Sequence, residues 1–430
     1  MLATHLVAEA QLGKKIIGKV AQKANETLAS SPADPSIRHQ SDGNIYYVSI
    51  EKGSARAEGS KDAPMKDIQK AIDQAADGDL IRIAQGNYLG TLDRGWIQIK
   101  GKYVSLEGGW NDDFTDRNPI KYITRIQPSM EQRGTIGQGL LMIEATSNKS
   151  AQIIVDGLFF DLGLVHEYAK ADPTDERFGC PEGCETGRIM PVGNPPNKTT
   201  RLIGGKMAGR LIIRNCMFLN ASFNGIIMTN MGGAWEICNN VFVSNLYASC
   251  EINGGLNQDT GAHQSTVDFH HNIFGCNNYG ALDAGWDDSN LPANKRKICS
   301  AYDNLFFMNK GDIVMAGTSG GKWLYVPAKR FDEVEMLSKY ENNRELPASS
   351  SFKDLIDPAY LKGFASLKIM TTESYDPNSA ANLYREAHGL NKQGTSTTRV
   401  SMFGNRYNFD KAVQLFGAEP GYGAQLPAGN

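Results

Sequence analysis

An internal repeat between residues 205 and 316 constrains the fold of this 430-residue chain more than any other feature. Each copy reads as a strand, an Asn-containing turn, a Phe-containing strand and a further apolar strand. The pattern occurs in four segments, at 211–220, 235–245, 267–277 and 299–309, after a degenerate copy at 153–159. The phenylalanines at the common position are Phe218, Phe242, Phe274 and Phe306, at spacings of 24, 32 and 32 residues.

This spacing predicts a solenoid. A coil of three short strands at roughly 3.3 Å per residue, with three turns, needs about two dozen residues. The first interval is therefore one coil, and each longer interval is a coil plus a loop of about eight residues. We predict a further apolar strand in each coil at 225–228, 250–252, 281–283 and 313–315. Asn240, Asn272 and Asn304 are expected to adopt left-handed backbone and to stack as an amide ladder.

The repeat resembles the right-handed parallel β-helix superfamily typified by pectate lyases. Residues 59–72 are similar to the segment that opens the solenoid in many bacterial members, with a helix that covers the first coil. Pro64 suits a helix start, and Asp77–Asp79 form a turn into a strand at 80–83. The stretch 108–114 is also similar to a segment of these proteins. We therefore predict an all-β, right-handed, single-stranded parallel β-helix.

Three regions are predicted along the chain. Residues 1–43 contain apolar residues at helical spacing, which indicates an amphipathic helix and linker that pack on the solenoid or a neighbour. Attachment to a membrane surface is the alternative. Residues 44–320 form the β-helix, with a loop insertion at 167–207. Residues 321–430 lose the repeat, show helical patterns near 331–340 and 408–416, and are predicted to cap the solenoid.

Composition excludes several classes of function. The net charge of −3 and a pI near 6.2 provide no basic surface for nucleic acid. Apolar runs of about four or five residues are too short for a transmembrane segment. No signal-peptide pattern is present in this chain, which we nonetheless expect to be secreted or at the cell surface.

Seven cysteines are spread through the chain. Cys180 and Cys184 lie in a turn-rich stretch and can close a small disulfide loop, whereas the other five are expected to behave as small apolar residues. No Cys pair has the spacing of a zinc motif, so the sequence predicts no zinc site.

Alternation along the strand before each Asn turn predicts a polar face. Arg214, Glu236, Asp268, His270 and Tyr302 are expected to point outward and to lie beside one another on neighbouring coils, about 4.8 Å apart. Two close carboxylates such as Glu236 and Asp268 raise each other's proton affinity or hold a cation. The alternative is a solvated sheet face without a ligand.

Loop insertions at 253–265 and 284–297 are expected to form a wall beside this face. They carry His263, Trp286 and three aspartates (Asp259, Asp287 and Asp288), and an aromatic ring beside carboxylates suits sugar binding. Asp283, Asp287 and Asp288 together can bind Ca²⁺. Glu251 and Asp283 on the neighbouring strands form a second candidate acid–base pair.

Two functions are compatible with this pattern. The leading hypothesis is an extracellular protein that binds an acidic polysaccharide and cleaves it as a lyase or a hydrolase. In the lyase version Ca²⁺ or Arg214 stabilises the developing charge; in the hydrolase version two carboxylates act as acid and base. The local signatures of pectate lyases are not matched. The alternative is therefore a non-catalytic structural subunit, adhesin or filament-forming protein that associates through its N-terminal helix or C-terminal cap.

Overall fold

A computed structural model describes most of the repeat region and part of each flank. The described residues are 43–89, 96–128, 139–162, 168–171, 188–191, 201–221, 223–245, 248–254, 265–277, 280–286, 298–307, 309, 313–316, 323–326, 337–345, 407–417 and 419–425. The predicted N-terminal helix and the Cys180–Cys184 loop lie outside these residues.

The chain winds through three sheets and adds one strand to each sheet in every coil, which confirms the predicted all-β parallel β-helix. Sheet A contains, in spatial order, β1 (Ile45–Val48), β2 (Leu80–Ala84), β5 (Ser105–Trp110), β8 (Gln152–Asp156), β13 (Arg210–Arg214), β16 (Ala234–Cys238), β19 (Thr266–His270), β22 (Ile298–Tyr302) and β26 (Leu337–Lys339). Sheet B contains β3 (Gly86–Leu89), β6 (Thr124–Gln127), β9 (Leu158–Asp161), β14 (Met217–Leu219), β17 (Val241–Val243), β20 (Ile273–Gly275), β23 (Leu305–Phe307) and β27 (Arg344–Glu345).

Sheet C completes each coil. It contains β4 (Ile97–Lys100), β7 (Leu141–Ala145), β12 (Ile203–Met207), β15 (Ile226–Asn230), β18 (Ala248–Gly254), β21 (Gly280–Trp286), β24 (Ile313–Ala316) and β25 (Trp323–Val326). The further apolar strand predicted in each repeat is therefore present. Strand β25 is antiparallel to β24, and β10 (Tyr168–Ala171) and β11 (Arg188–Pro191) form a separate antiparallel pair.

Two predicted boundaries differ from the structure. Strand β12 lies in sheet C, so the solenoid includes 203–207, which we had predicted to be part of the loop insertion. Strands β26 and β27 extend sheets A and B beyond residue 320. The helical pattern predicted near 331–340 is therefore wrong at 337–339, because pairing with β22 holds that segment extended.

The predicted helix near the first coil is present as α1 (Ile68–Gln74). It begins at Ile68 and not at Pro64, because the Asp67 side chain caps it by accepting a hydrogen bond from the Lys70 backbone N–H at 2.8 Å. Ile68, Ala71 and Ile72 are buried against the solenoid.

The interior is filled by side chains that stack from coil to coil. The four repeat phenylalanines and Phe160 form one column, with neighbouring ring centroids 4.6–5.4 Å apart and ring planes within 13° of parallel. All five rings are fully buried. The spacing of these residues in sequence thus corresponds to their contact in space.

Asparagines form two ladders at the corners of the coils. The predicted ladder is confirmed: the carboxamide of Asn240 donates to that of Asn272 at 3.2 Å, and Asn272 donates to Asn304 at 3.0 Å. The structure adds a second ladder, in which Asn245, Asn277 and Asn309 are joined by bonds of 3.1 and 2.8 Å.

The left-handed backbone, however, is not at the ladder asparagines. It lies one residue earlier, at Asn215, Asn239, His271 and Asp303, with φ between 50° and 54°. Our assignment of left-handed backbone to Asn240, Asn272 and Asn304 was therefore wrong. Their recurrence instead reflects the need to satisfy buried main-chain groups, since Asn272 also donates to the Ile237 carbonyl at 2.8 Å.

We expect Asn272→Ala to lower the free energy of unfolding by about 1–3 kcal/mol, because buried partners lose their hydrogen bonds. The Asn272 carboxamide accepts from the Asn240 backbone N–H at 3.0 Å and donates on its other side. Denaturant unfolding monitored by far-UV circular dichroism measures the change. Asn87→Ala, at an exposed position on β3, is the matched control and should change stability by less than about 0.5 kcal/mol. Equal changes in the two variants would exclude a stabilising role for the ladder.

The C-terminal segment 407–425 packs on the outer face of sheet B. The predicted helix is present as α2 (Phe409–Leu415), capped by Asn408. Tyr407, Leu415, Phe416 and Ala424 are buried against apolar side chains of β9, β14, β17, β20 and β23. None of the helices in the described residues is long and apolar enough to cross a membrane.

Candidate functional site

The outer face of sheet A carries a cluster of polar side chains on three adjacent strands. Glu236 and Cys238 lie on β16, Asp268 and His270 on β19, and Tyr302 on β22; we call these five residues the sheet A cluster. Strand register places Glu236 beside Asp268, Cys238 beside His270, and His270 beside Tyr302. The intervening residues, such as Ile237 and Phe269, point into the core, so the predicted alternation holds.

The cluster is more buried than the solvated sheet face that was the alternative prediction for these strands. Glu236 is 7% exposed, His270 1% and Tyr302 7%, and Cys238 is fully buried. The expectation of a solvated face is therefore wrong for these residues. Glu236 is hydrogen-bonded to His270, and the His270 ring stacks on Tyr302.

Glu236 is held by two neighbours. Its Oε1 lies 3.0 Å from Nε2 of His270, and its Oε2 lies 3.6 Å from a guanidinium nitrogen of Arg210. The Arg210 side chain is 42% exposed and thus extends from the buried carboxylate toward solvent. These two contacts therefore hold the buried Glu236 carboxylate in one position on the outer face of sheet A.

His270 is fixed on three sides. Its ring stacks on Tyr302 with centroids 5.0 Å apart and planes within 11° of parallel. Its Nδ1 lies 2.9 Å from Nδ1 of His271, so one of the two nitrogens carries the proton that the other accepts. Burial and the neighbouring His270 charge lower the pKa of His271.

Asp268 is the less buried carboxyl of the pair. Burial raises its pKa, and a hydrogen bond with the Ser300 side chain opposes the rise only in part. Ser300 is in turn the register partner of Lys339 on β26. The Lys339 ammonium lies 3.8 Å from the ring centre of Tyr302, and its side chain is 43% exposed.

A second polar group lies further along the same sheet, and we call it the buried ion network. Arg117 donates to Oδ1 of Asp156 at 2.7 Å, and Arg214 donates to Oδ2 at 2.8 Å. Glu107 accepts from Arg82 at 3.0 Å and lies 3.8 Å from Arg117. Arg214, a predicted site residue, thus lies 4% exposed and bonded to Asp156.

Three of the remaining predicted residues, Glu251, Asp283 and Trp286, lie on strands of sheet C. Glu251 lies on sheet C, where its carboxylate accepts hydrogen bonds from Asn224 at 3.0 Å and Asn253 at 3.2 Å. Asp283 is its register partner on β21, and Trp286 ends that strand. His263, Asp287 and Asp288 lie outside the described residues. The Ca²⁺ site and the role of Trp286 in sugar binding stay predictions.

The sequence prediction missed several residues of this face, among them Lys339, Arg117 and Cys238. Lys339 lies in a strand beyond the recognised sequence repeat, and Arg117 follows the 108–114 stretch, so alignment of the repeats identified neither residue. Cys238 is one residue from an Asn turn and was assigned to the apolar cysteines. Its register pairing with His270 was the signal that could have identified it.

Comparisons with known proteins give low similarity. No protein-family model and no curated protein matches the chain. A pectin methylesterase variant in complex with a hexasaccharide matches with a TM-score of 0.34 and 11% identity, over 72% of this chain and 94% of that one. The pectin methylesterase from Aspergillus niger matches with 0.27 and 11%, over 82% and 97%. XylC with xylose matches with 0.24 and 12%, over 64% of each chain.

The three-sheet coil defines the class: this is a parallel β-helix protein. The comparisons assign the chain to no family.

Proposed function

We propose that the protein binds and cleaves an acidic polysaccharide on the outer face of sheet A, with Glu236 and Asp268 as the catalytic carboxyl pair. The observation that carries the proposal is their register pairing on β16 and β19. Paired residues on adjacent parallel strands are about 4.8 Å apart. This spacing is compatible with the carboxyl separation of about 5–5.5 Å in retaining glycosidases.

The two carboxyls have different neighbours, which supports different roles. Glu236 is anchored by His270 and Arg210, and a fixed carboxylate suits a nucleophile. Asp268 is only half-buried and bonds with the Ser300 side chain, which suits a group that exchanges a proton with the glycosidic oxygen and then with water. Unequal environments of two carboxyls are the usual basis for acid and base assignments.

The exposed cations beside the pair support an acidic substrate. Arg210 lies on β13 and Lys339 on β26, so they flank Glu236 and Asp268 along the direction in which the coils stack. Their side chains are 42% and 43% exposed. Arginine and lysine bind carboxylates by charge-assisted hydrogen bonds. A chain of uronate residues laid across the strands would place its carboxylates near both cations.

Glu236→Gln and Asp268→Asn are each expected to reduce cleavage of a uronate polysaccharide by about 100-fold or more, since acid–base catalysis contributes roughly 10²–10⁴ in rate. The assay follows new reducing ends and unsaturated uronate absorbance against uronate-rich and neutral polysaccharides. Glu144→Gln, at a half-buried carboxylate on sheet C, is the matched control and should retain activity.

Other results would redirect or exclude the proposal. Loss of activity in Glu251→Gln with retention in Glu236→Gln would place the site on sheet C. If the wild-type protein cleaves none of the polysaccharides, the cleavage proposal is wrong. Light scattering for concentration-dependent assembly would then test the structural alternative.

A further inference from the structure

We propose that Glu236, Cys238 and His270 form a binding site for a transition-metal dication of the zinc class. Among the described residues, these three side chains form the group whose carboxylate, thiol and imidazole donor atoms all lie within 4.8 Å of one another. The inference does not depend on polysaccharide cleavage, because metal binding needs no carbohydrate.

The backbone brings the three donors together. Cys238 and His270 are register partners on β16 and β19, so their side chains project side by side from the same face. Glu236 precedes Cys238 by two residues, and residues two apart on a strand share a face. The donors therefore come from two strands of a rigid sheet and from no loop.

The donor types select the class of cation. A thiolate, an imidazole and a carboxylate are the three ligand types that zinc uses in proteins, whereas calcium and magnesium prefer oxygen donors alone. Bonds of about 2.0–2.3 Å in a tetrahedron separate the donors by roughly 3.3–3.8 Å. If the side chains move inward by about 1 Å, the three donors thus occupy three positions of a tetrahedron around the ion, and the fourth position is left for water.

The surroundings of His270 are those of a metal ligand. Its Nε2 faces Glu236, while its Nδ1 is engaged by Nδ1 of His271 at 2.9 Å. A hydrogen bond at the second ring nitrogen orients a metal-binding histidine and fixes its tautomer. Stacking on Tyr302 restricts rotation of the ring. His271 is accordingly a positioning residue for this site.

Burial separates this group from ordinary surface carboxylates. Glu236, Cys238 and His270 are all more than nine-tenths buried. Glu236 also belongs to the proposed catalytic pair, so a bound cation would withdraw that carboxylate and inhibit cleavage. Spacing rules for zinc motifs did not identify the group, because His270 is distant in sequence from Glu236 and Cys238 and is adjacent to them only in the coiled structure.

The test is a titration of the metal-free, full-length protein with Co²⁺ and with Zn²⁺. Cys180→Ala/Cys184→Ala serves as the background, because those two cysteines could bind metal independently. We expect one equivalent of Co²⁺ to bind with a thiolate-to-cobalt charge-transfer band and one equivalent of Zn²⁺ to displace it. Cys238→Ala should abolish the band and weaken Zn²⁺ binding by roughly 100-fold or more, beyond the 10–100-fold typical of outer-sphere changes.

Cys299→Ala is the matched control. Its thiol is buried on the strand next to β19 but faces the core, so it should bind Co²⁺ and Zn²⁺ as the background protein does. His271→Ala should keep the band and weaken binding by about 10–100-fold. Absence of a thiolate band, or equal affinities of Cys238→Ala and Cys299→Ala in folded protein, would overturn the proposal. Neither result bears on whether Glu236 and Asp268 cleave a polysaccharide.

Discussion

Replacing Asp156 with alanine is expected to lower the free energy of unfolding by about 3–5 kcal/mol, because the change leaves buried guanidinium groups without their carboxylate. Arg117 and Arg214 donate to its two oxygens at 2.7 and 2.8 Å, and Asp156 itself is fully buried. Denaturant unfolding measures the loss. Asp113→Ala is the control, since its ion pair with Lys52 is exposed and should contribute little. Similar losses in both variants would contradict a structural role for the buried ion network.

The same carboxylate gives stability a definite pH dependence. Burial alone would raise the pKa of Asp156, but the charges of Arg117 and Arg214 and a hydrogen bond from Asn215 outweigh it and lower the pKa. A lowered folded-state pKa contributes stability that is complete above the ordinary aspartate value of about 3.9 and is lost as the pH falls toward the folded value. The stability difference between the wild type and Asp156→Asn should therefore narrow below about pH 4.

Phe242→Ala should cost about 3–5 kcal/mol, because it removes a ring from the middle of a packed column and leaves a cavity. Phe242 is fully buried, and its ring centroid lies 4.6 Å from that of Phe218 and 4.8 Å from that of Phe274. Thermal and denaturant unfolding measure the loss. Tyr340→Ala removes a ring that is 44% exposed, and it serves as the control. A loss below about 1 kcal/mol for Phe242→Ala would show that the column relaxes to fill the space.

The sequence predicted those features that recur in every coil. Phe218, Phe242, Phe274 and Phe306 occupy equivalent positions, so their stack could be read from their spacing. The first asparagine ladder was predicted in the same way. The alternation of side chains likewise placed Glu236 beside Asp268, because every second residue of a strand faces the core and the others face outward.

Features made by residues outside the repeat could not be predicted. Arg117 and Lys339 lie outside the segments in which the sequence repeat was recognised. The left-handed position was assigned to the wrong residue because it is occupied by Asn in only two of the four repeats, at Asn215 and Asn239. The next residue is Asn in three of the four repeats and was chosen for that reason. The alternation pattern shows which side chains face the core and which face outward, but it does not show how far an outward side chain is covered by its neighbours. The burial of Glu236 and His270 was therefore not predicted.

The C-terminal segment contacts several coils of the solenoid, which is expected to raise the cooperativity of its unfolding. In a simple repeat array each coil contacts only its neighbours, so unfolding can begin at one end and proceed coil by coil. Here Tyr407, Leu415, Phe416 and Ala424 belong to one apolar cluster with side chains from five successive strands of sheet B, β9 to β23. The two ends of the C-terminal segment are hydrogen-bonded to different coils. The Asn220 side chain donates to the Tyr407 carbonyl, and the Gly423 backbone N–H donates to the His271 carbonyl. A single segment thereby contacts coils that are not adjacent, and we expect these coils to unfold together as one unit.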